Sequence, residues 1–409
     1  MIGIYIFLFG LNIPFLDQWE VVPLLIKKQQ GLLSFADLFA QHNEHRPFFP
    51  RLIWLTLSGF TRYNVNIELW VNLLIAMGTF IFVAGRSMKM WKQLGISTPP
   101  LLIPLMSLLV FNLGQRESWL QGFQTVMFLE IACVIIGIFV LAENTSWGNF
   151  FGAVALGIIA NYSMANGLLY WLIGLIVISI TTSKKLRIIR ISLWIIFSGI
   201  CISLFLTGWT SGGHLNFGYA FTHILEWFIW ILNFLGAPIM TLWYVAWVFG
   251  FISIGLYILI IGHVVRTNQW RPLIPYFAIV LFILVTALSI SLGRMEMGMP
   301  QSVVPRYLTM SVWYWVSLLA LLPLLNMKSL YQHILYSLLT ISLVFLMIGG
   351  GWRGYVSIHQ RILPAYQAVR SGQLVGDDVL IRINPDVDKV RLLLEFLREN
   401  KLSVYAERP

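Results

Sequence analysis

Long apolar runs, broken by short polar segments, occupy most of the chain. With roughly 17–25 apolar residues as the length that crosses hydrocarbon, the pattern predicts helices near 1–16, 65–85, 99–114, 124–142, 149–164, 167–183, 191–207, 238–262, 273–292, 307–326 and 331–349. About eleven crossings, an odd number, set the two termini on opposite sides. The segment Asn161 to Asn166 reads either as a loop between two spans or as the break in one re-entrant helix. The first run, Ile2 to Phe15, is short, but no basic stretch precedes it and no small-residue cleavage site follows. With Asp17 and Trp19 directly after it, it is expected to be a retained first span rather than a signal peptide.

Two stretches depart from this pattern. Residues 17–64 carry Asp17, Asp37, His42, Glu44, His45, Arg46 and Arg51 in a chain that otherwise avoids charge. The part from Trp352 to Pro409 holds nine Lys/Arg and seven Asp/Glu, close to soluble composition. There Asn384 and Pro385 read as N-cap and first turn, and Val387, Val390, Leu394 and Leu397 recur at helical spacing through Asp386 to Asn400. The expected fold is therefore an all-α polytopic membrane protein. Its transmembrane domain spans 1–350 with a large first loop at 17–64, and a small tail at 351–409 packs one amphipathic helix on the same face.

Composition supports that class: 58% of the 409 residues are hydrophobic, only 11% are charged, and mean hydropathy is +0.79. The net charge of +10 is what basic loops and lipid headgroups produce in a membrane protein, so no nucleic-acid partner is expected. Cys133 and Cys201 both lie inside apolar runs and point to neither a disulfide framework nor a thiolate metal site. The Lys and Arg of RSMKMWK, SKKLRIIR and Arg266 to Arg271 place those loops, and the N-terminus, in the cytoplasm. The 17–64 loop and the C-terminal tail then lie outside, with GQRESWLQGFQ (Gly114 to Gln124), Asn161 to Asn166, Thr207 to Trp227 and GRMEMGMPQSVVPRY (Gly293 to Tyr307).

Charged groups beside hydrocarbon cost several kcal/mol each unless they meet water, a partner or a ligand, so the outer loops are the candidate site. Asp17 can accept a proton from an attacking hydroxyl or help hold a divalent cation; the plainer alternative is an interfacial helix end marked by Trp19. In HNEHR, His42 and His45 flank Glu44, but no third ligand stands nearby and Pro47 follows, so metal ligation is the weaker option. Phosphate recognition by His45, Arg46 and Arg51 is chemically simpler, with lipid headgroup contact the structural alternative. Arg294, Arg306 and Tyr307 suit a lipid phosphate or snorkel to headgroups; Arg116 and Glu117 either join them or pair with each other. Glu68 and Glu130 are the intramembrane carboxyls that a transporter would need. The chain has no nucleotide loop, nucleophile elbow or zinc-protease motif.

The order of parts, a short span, LDQWEVVPL, an amphipathic LLSFADLFAQ and then HNEHRPFFPRLIWL, resembles the start of the GT-C glycosyltransferases, membrane enzymes related to the protein O-mannosyltransferases. The resemblance covers Ile2 to about Leu55 and extends to the later spans by topology alone. It implies a sugar donor carried on polyprenyl phosphate and a glycan, lipid or protein acceptor. It also implies Asp17 as catalytic base, with Glu44 the second candidate acid, and a bacterial plasma-membrane enzyme of cell-envelope polysaccharide synthesis. His42, His45 and the loop arginines, including Arg294 and Arg306, become candidates for the donor phosphate. A divalent cation, Mg or Mn, is a possible cofactor in that class. The alternatives are a polysaccharide polymerase or ligase acting on lipid-linked glycans, and a lipid-linked oligosaccharide flippase.

Overall fold

The computed structural model describes residues 1–97, 100–143, 146–211, 217–372 and 375–406. Among them every regular element is helical, as a chain must be that satisfies its backbone polar groups within hydrocarbon without closing a barrel. Seven helices among the described residues are long and apolar enough to cross a membrane: Asn66–Gln93, Gly122–Glu143, Lys184–Leu206, Trp243–Thr267, Arg271–Met297, Pro305–Leu325 and Ser329–Arg370. The expected eleven are not confirmed by this count. The other four segments form shorter helices: Ile2–Phe9, Leu102–Val110, Trp147–Asn161 and Leu168–Thr181. Local punctuation accounts for the short ones. Gly10 turns extended after Phe9, and beyond Val110 the Asn112 side chain accepts the Gly114 N–H at 2.6 Å and starts a new turn. The Asn161 to Asn166 segment is a 3₁₀-containing turn between two separate helices.

A helix at Ile224–Gly236 lies in what reads from sequence as loop; residues 212–216 of that same stretch fall outside the described part of the chain. It folds back on Trp243–Thr267 as a close hairpin. The backbones touch where Gly250 faces Leu232: a Cβ on Gly250 would sit 2.1 Å from the Leu232 carbonyl oxygen. The core of the bundle is Pro305–Leu325, whose faces are apolar almost all round and buried accordingly. Its Trp315 indole donates to Leu235 O at 2.6 Å, and Tyr257 Oη donates to Tyr314 O at 2.6 Å.

The C-terminal tail docks on the first loop. Val390, Leu393, Leu394 and Leu397 are buried along one stripe of Val387–Glu399. The cap of this helix is Asp386, which accepts the Lys389 N–H at 3.1 Å, rather than the expected Asn384. Asn384 instead donates to Leu16 O at 3.1 Å, beside a bond from Leu16 N to Ile383 O at 2.8 Å. Further along, Asn12 Nδ2 donates to Ser403 O at 3.0 Å and Ser403 Oγ returns a bond to Asn12 O at 3.1 Å. Lys389 pairs with Glu20.

The hairpin contact makes a direct prediction. Gly250→Ala should lower stability by about 1–3 kcal/mol, the usual result of overpacking against unyielding backbone. Gly255→Ala, on the same helix with open space around it, should leave the thermal unfolding midpoint in detergent unchanged or slightly higher. Equal midpoints for the two variants would show that the helices are not in backbone contact.

Candidate functional site

The first loop is held by its own arginines. Arg46, buried and stacked 5.0 Å over the Phe39 ring, donates from Nε to Phe205 O at 2.7 Å, from Nη1 to Phe39 O at 2.9 Å and from Nη2 to Thr207 O. Arg51 donates to Leu38 O at 2.9 Å and to Ala40 O. Arg46, a phosphate candidate in the sequence, is thus engaged at all three nitrogens by carbonyls of loop backbone, and Arg51, the other, at Nη1 alone. Gln41 and Trp209 complete the seam, with Gln41 Nε2 on Thr210 O at 2.7 Å and the Trp209 indole on Glu44 O at 3.3 Å.

This clamp presents HNEHR as a tight turn. His42 and His45 exchange backbone bonds of 2.8 and 2.9 Å, and Asn43 takes the left-handed conformation the turn requires, φ 49°. The His45 ring is half-buried, and its Nδ1 accepts the Ala165 N–H at 3.2 Å, which puts the ring proton on Nε2. Burial pulls the pKa of His45 down to about 4, against the opposing pull of Glu44. The His42 ring lies 5.0 Å from Phe123, itself stacked on Trp54 at 5.1 Å. Burial lowers the pKa of His42 as well, while the carboxylates of Asp17 and Glu20 act to raise it.

The carboxylates of this region separate into engaged and free. Asp37 closes a capping box with Ser34 and pairs with Lys27, which holds it well below the usual carboxylate range. Glu20 pairs with Lys389, and Glu44 lies 3.8 Å from Arg294. Glu68 is buried and accepts from Gln18 Nε2 at 3.0 Å. Gly122 is the residue that makes room for them, since a Cβ there would stand 2.0 Å from Glu68 Oε2. Asp17 is exposed and has neither ion pair nor hydrogen bond among the described residues. It follows Leu16, which sits at φ 50°, a conformation a branched side chain rarely adopts. The two bonds from Ile383 and Asn384 hold it there, so the tail fixes the backbone that aims Asp17.

A second group gathers on the same face. The short helix Arg116–Leu120 packs on Pro305–Tyr307 and on the first helix, with Thr309 Oγ1 donating to Ser118 Oγ at 2.7 Å. Arg116 is partly buried, which lowers its pKa; Glu117 opposes that shift and the neighbouring Arg353 adds to it. Arg306 lies 5.5 Å over the ring of buried Tyr307. Arg353 is concealed in the sequence because the apolar run stops at Gly349, whereas the helix runs on through Ser357. The signal was the GGGWR run itself, one turn short of a polar end. The loop from Arg294 to Tyr307 thus touches both groups, Glu44 at its start and the Arg116 helix at its end. Glu130 stands apart, fully buried, with no partner among the described residues.

Among the described residues no three His, Cys, Asp or Glu side chains converge as a metal site. No family model, curated protein or solved structure matches the chain. Fold and composition define the class on their own: a polytopic helical membrane protein with a polar, clamped loop on one face.

His45 gives this site a pH signature. A histidine whose folded pKa lies near 4 and whose unfolded pKa is near 6.5 stabilises the fold fully above pH 6.5. That contribution, up to about 3 kcal/mol for a shift of this size, declines as pH falls from 6.5 to 4 and is gone below. Unfolding midpoints measured across this range should fall for the native protein. His45→Asn, which keeps an acceptor for the Ala165 N–H but does not titrate, should flatten the curve; an unchanged slope would remove His45 as its source.

Proposed function

We propose that the protein is a glycosyltransferase of the GT-C type. It moves a hexosyl or pentosyl unit from a polyprenyl-phosphate carrier to a glycan, lipid or protein acceptor at the extracytoplasmic face of a membrane. The observation that carries this reading is the state of Asp17. It is the one carboxylate of the first loop with no partner among the described residues, it is exposed, and a strained, doubly bonded residue fixes its backbone. A base that must take a proton from an acceptor hydroxyl has to be ionised, reachable and unpaired.

In this reading the acceptor oxygen attacks the anomeric carbon while the Asp17 carboxylate takes its proton. The bond from that carbon to the lipid phosphate oxygen breaks, with inversion, and the leaving lipid phosphate carries away the electron pair. Its charge is met by guanidinium groups that still have donors to give, Arg294, Arg306 and Arg116. His42, whose pKa burial lowers while Asp17 and Glu20 act to raise it, is a further hydrogen-bonding group for the donor phosphate. A transport reading would rest on the buried Glu130 alone, since Glu68 is bound to Gln18 rather than open to a path.

Asp17→Asn should reduce transfer from a radiolabelled polyprenyl-phosphate sugar by roughly 10²–10⁴-fold, with the unfolding midpoint unchanged, and a fully active variant would overturn the mechanism. Loss of activity in Arg306→Ala with retention in Asp17→Asn would favour a polymerase or ligase of lipid-linked glycans.

A further inference from the structure

At the opposite end of the bundle, about 30 Å along the Asn66–Gln93 helix from Glu68 by the rise per residue, lies a cavity of about 440 Å³. It is the size of a small-molecule site, which runs roughly 300–1,000 Å³. Its walls are the ends of three spans, Asn66–Gln93, Gly122–Glu143 and Arg271–Met297. Three cations, Arg86, Lys89 and Arg271, line it against a single carboxylate, Glu143.

These four groups are not equivalent. Arg86 is fixed: it pairs with Glu143, and its guanidinium lies 4.9 Å over the Phe82 ring and 6.0 Å from that of Phe139. Lys89 is 3.7 Å from the same carboxylate and largely exposed. Arg271 has no ion pair or hydrogen bond among the described residues and opens the turn into the long helix Ile274–Arg294. The partial positive charge of that helix start therefore adds to the side chains at the cavity mouth. The floor is polar as well, with Tyr276 Oη held 3.0 Å from Ser87 Oγ. Two cations in excess of the carboxylate, at the depth where spans meet headgroups, form a trap for an anion.

We propose that this cavity binds a phosphate-bearing anion, either the headgroup of an anionic phospholipid or a soluble phosphate compound. Lys89 and Arg271 supply the binding donors and Arg86 the fixed wall. Glu143 acts against binding by engaging Arg86 and Lys89. The site is separate from the Asp17 loop and does not depend on the glycosyltransferase reading.

The test uses the full chain in detergent. Native mass spectrometry compares retention of dioleoyl phosphatidylglycerol with that of dioleoyl phosphatidylcholine, and thermal unfolding is followed against inorganic phosphate. Each cation near a charged surface contributes about fivefold, so Lys89→Ala/Arg271→Ala should lose about 25-fold in affinity for whichever probe binds. Preferential retention of phosphatidylglycerol, lost in that double variant, supports a lipid occupant. Stabilisation by inorganic phosphate without lipid preference, lost in the same variant, supports a soluble one. Glu143→Gln should tighten binding by a fewfold, an increase that a merely structural role for these residues would not produce. Equal binding by native and double-variant protein, or no tightening in Glu143→Gln, overturns the proposal.

Discussion

Backbone carbonyls that meet neither water nor a helical partner must be given donors, and in this molecule two arginines supply them. Arg46 bridges Phe39 to Phe205 and Thr207, and Arg51 gathers Leu38 and Ala40. Irregular chain beside hydrocarbon is tolerated only with such satisfaction, and everything displayed by the first loop depends on it. The His42–His45 turn, the tautomer of His45 and the position of Glu44 opposite Arg294 are all downstream of those bonds. Breaking one would leave a buried acceptor orphaned as well as freeing a charge, which is the costlier of the two kinds of loss.

The same logic divides the charges of the loop face into framework and chemistry. A carboxylate in a capping box or an arginine on three carbonyls is occupied by the fold. Asp17, Arg306 and Arg294 keep surface open to a ligand, and they lie at the edges of the loops rather than inside them. Placement at an edge is also what the proposed lipid-linked donor requires, since its headgroup arrives from the bilayer plane and not from bulk water.

Much of this could be read from residue order, and what could not has a physical reason. The membrane class, the polar first loop and the amphipathic tail helix follow from periodicity and charge, which are local properties. The number of full crossings did not follow, because helix ends at Gly10 and Asn112 are set by turns and caps that an apolar run conceals. The roles of Arg46 and Arg51 were hidden for a different reason. A sequence displays donors but not acceptors, and the carbonyls of Phe205 and Thr207 lie about 160 residues away. Likewise Leu16 carries no mark of its left-handed backbone, because the constraint comes from Ile383 and Asn384 at the far end of the chain.

The paired bonds between Asn12 and Ser403 join residues separated by 391 positions. At 5–20 residues per second, ribosomal synthesis separates the two by roughly 20–80 s. Throughout that interval the backbone before Asp17 lacks the bonds from Ile383 and Asn384, so the first loop is made before the segment that holds it. The bonds that hold Leu16 and Asn12 therefore form late, after the helices between them have been made.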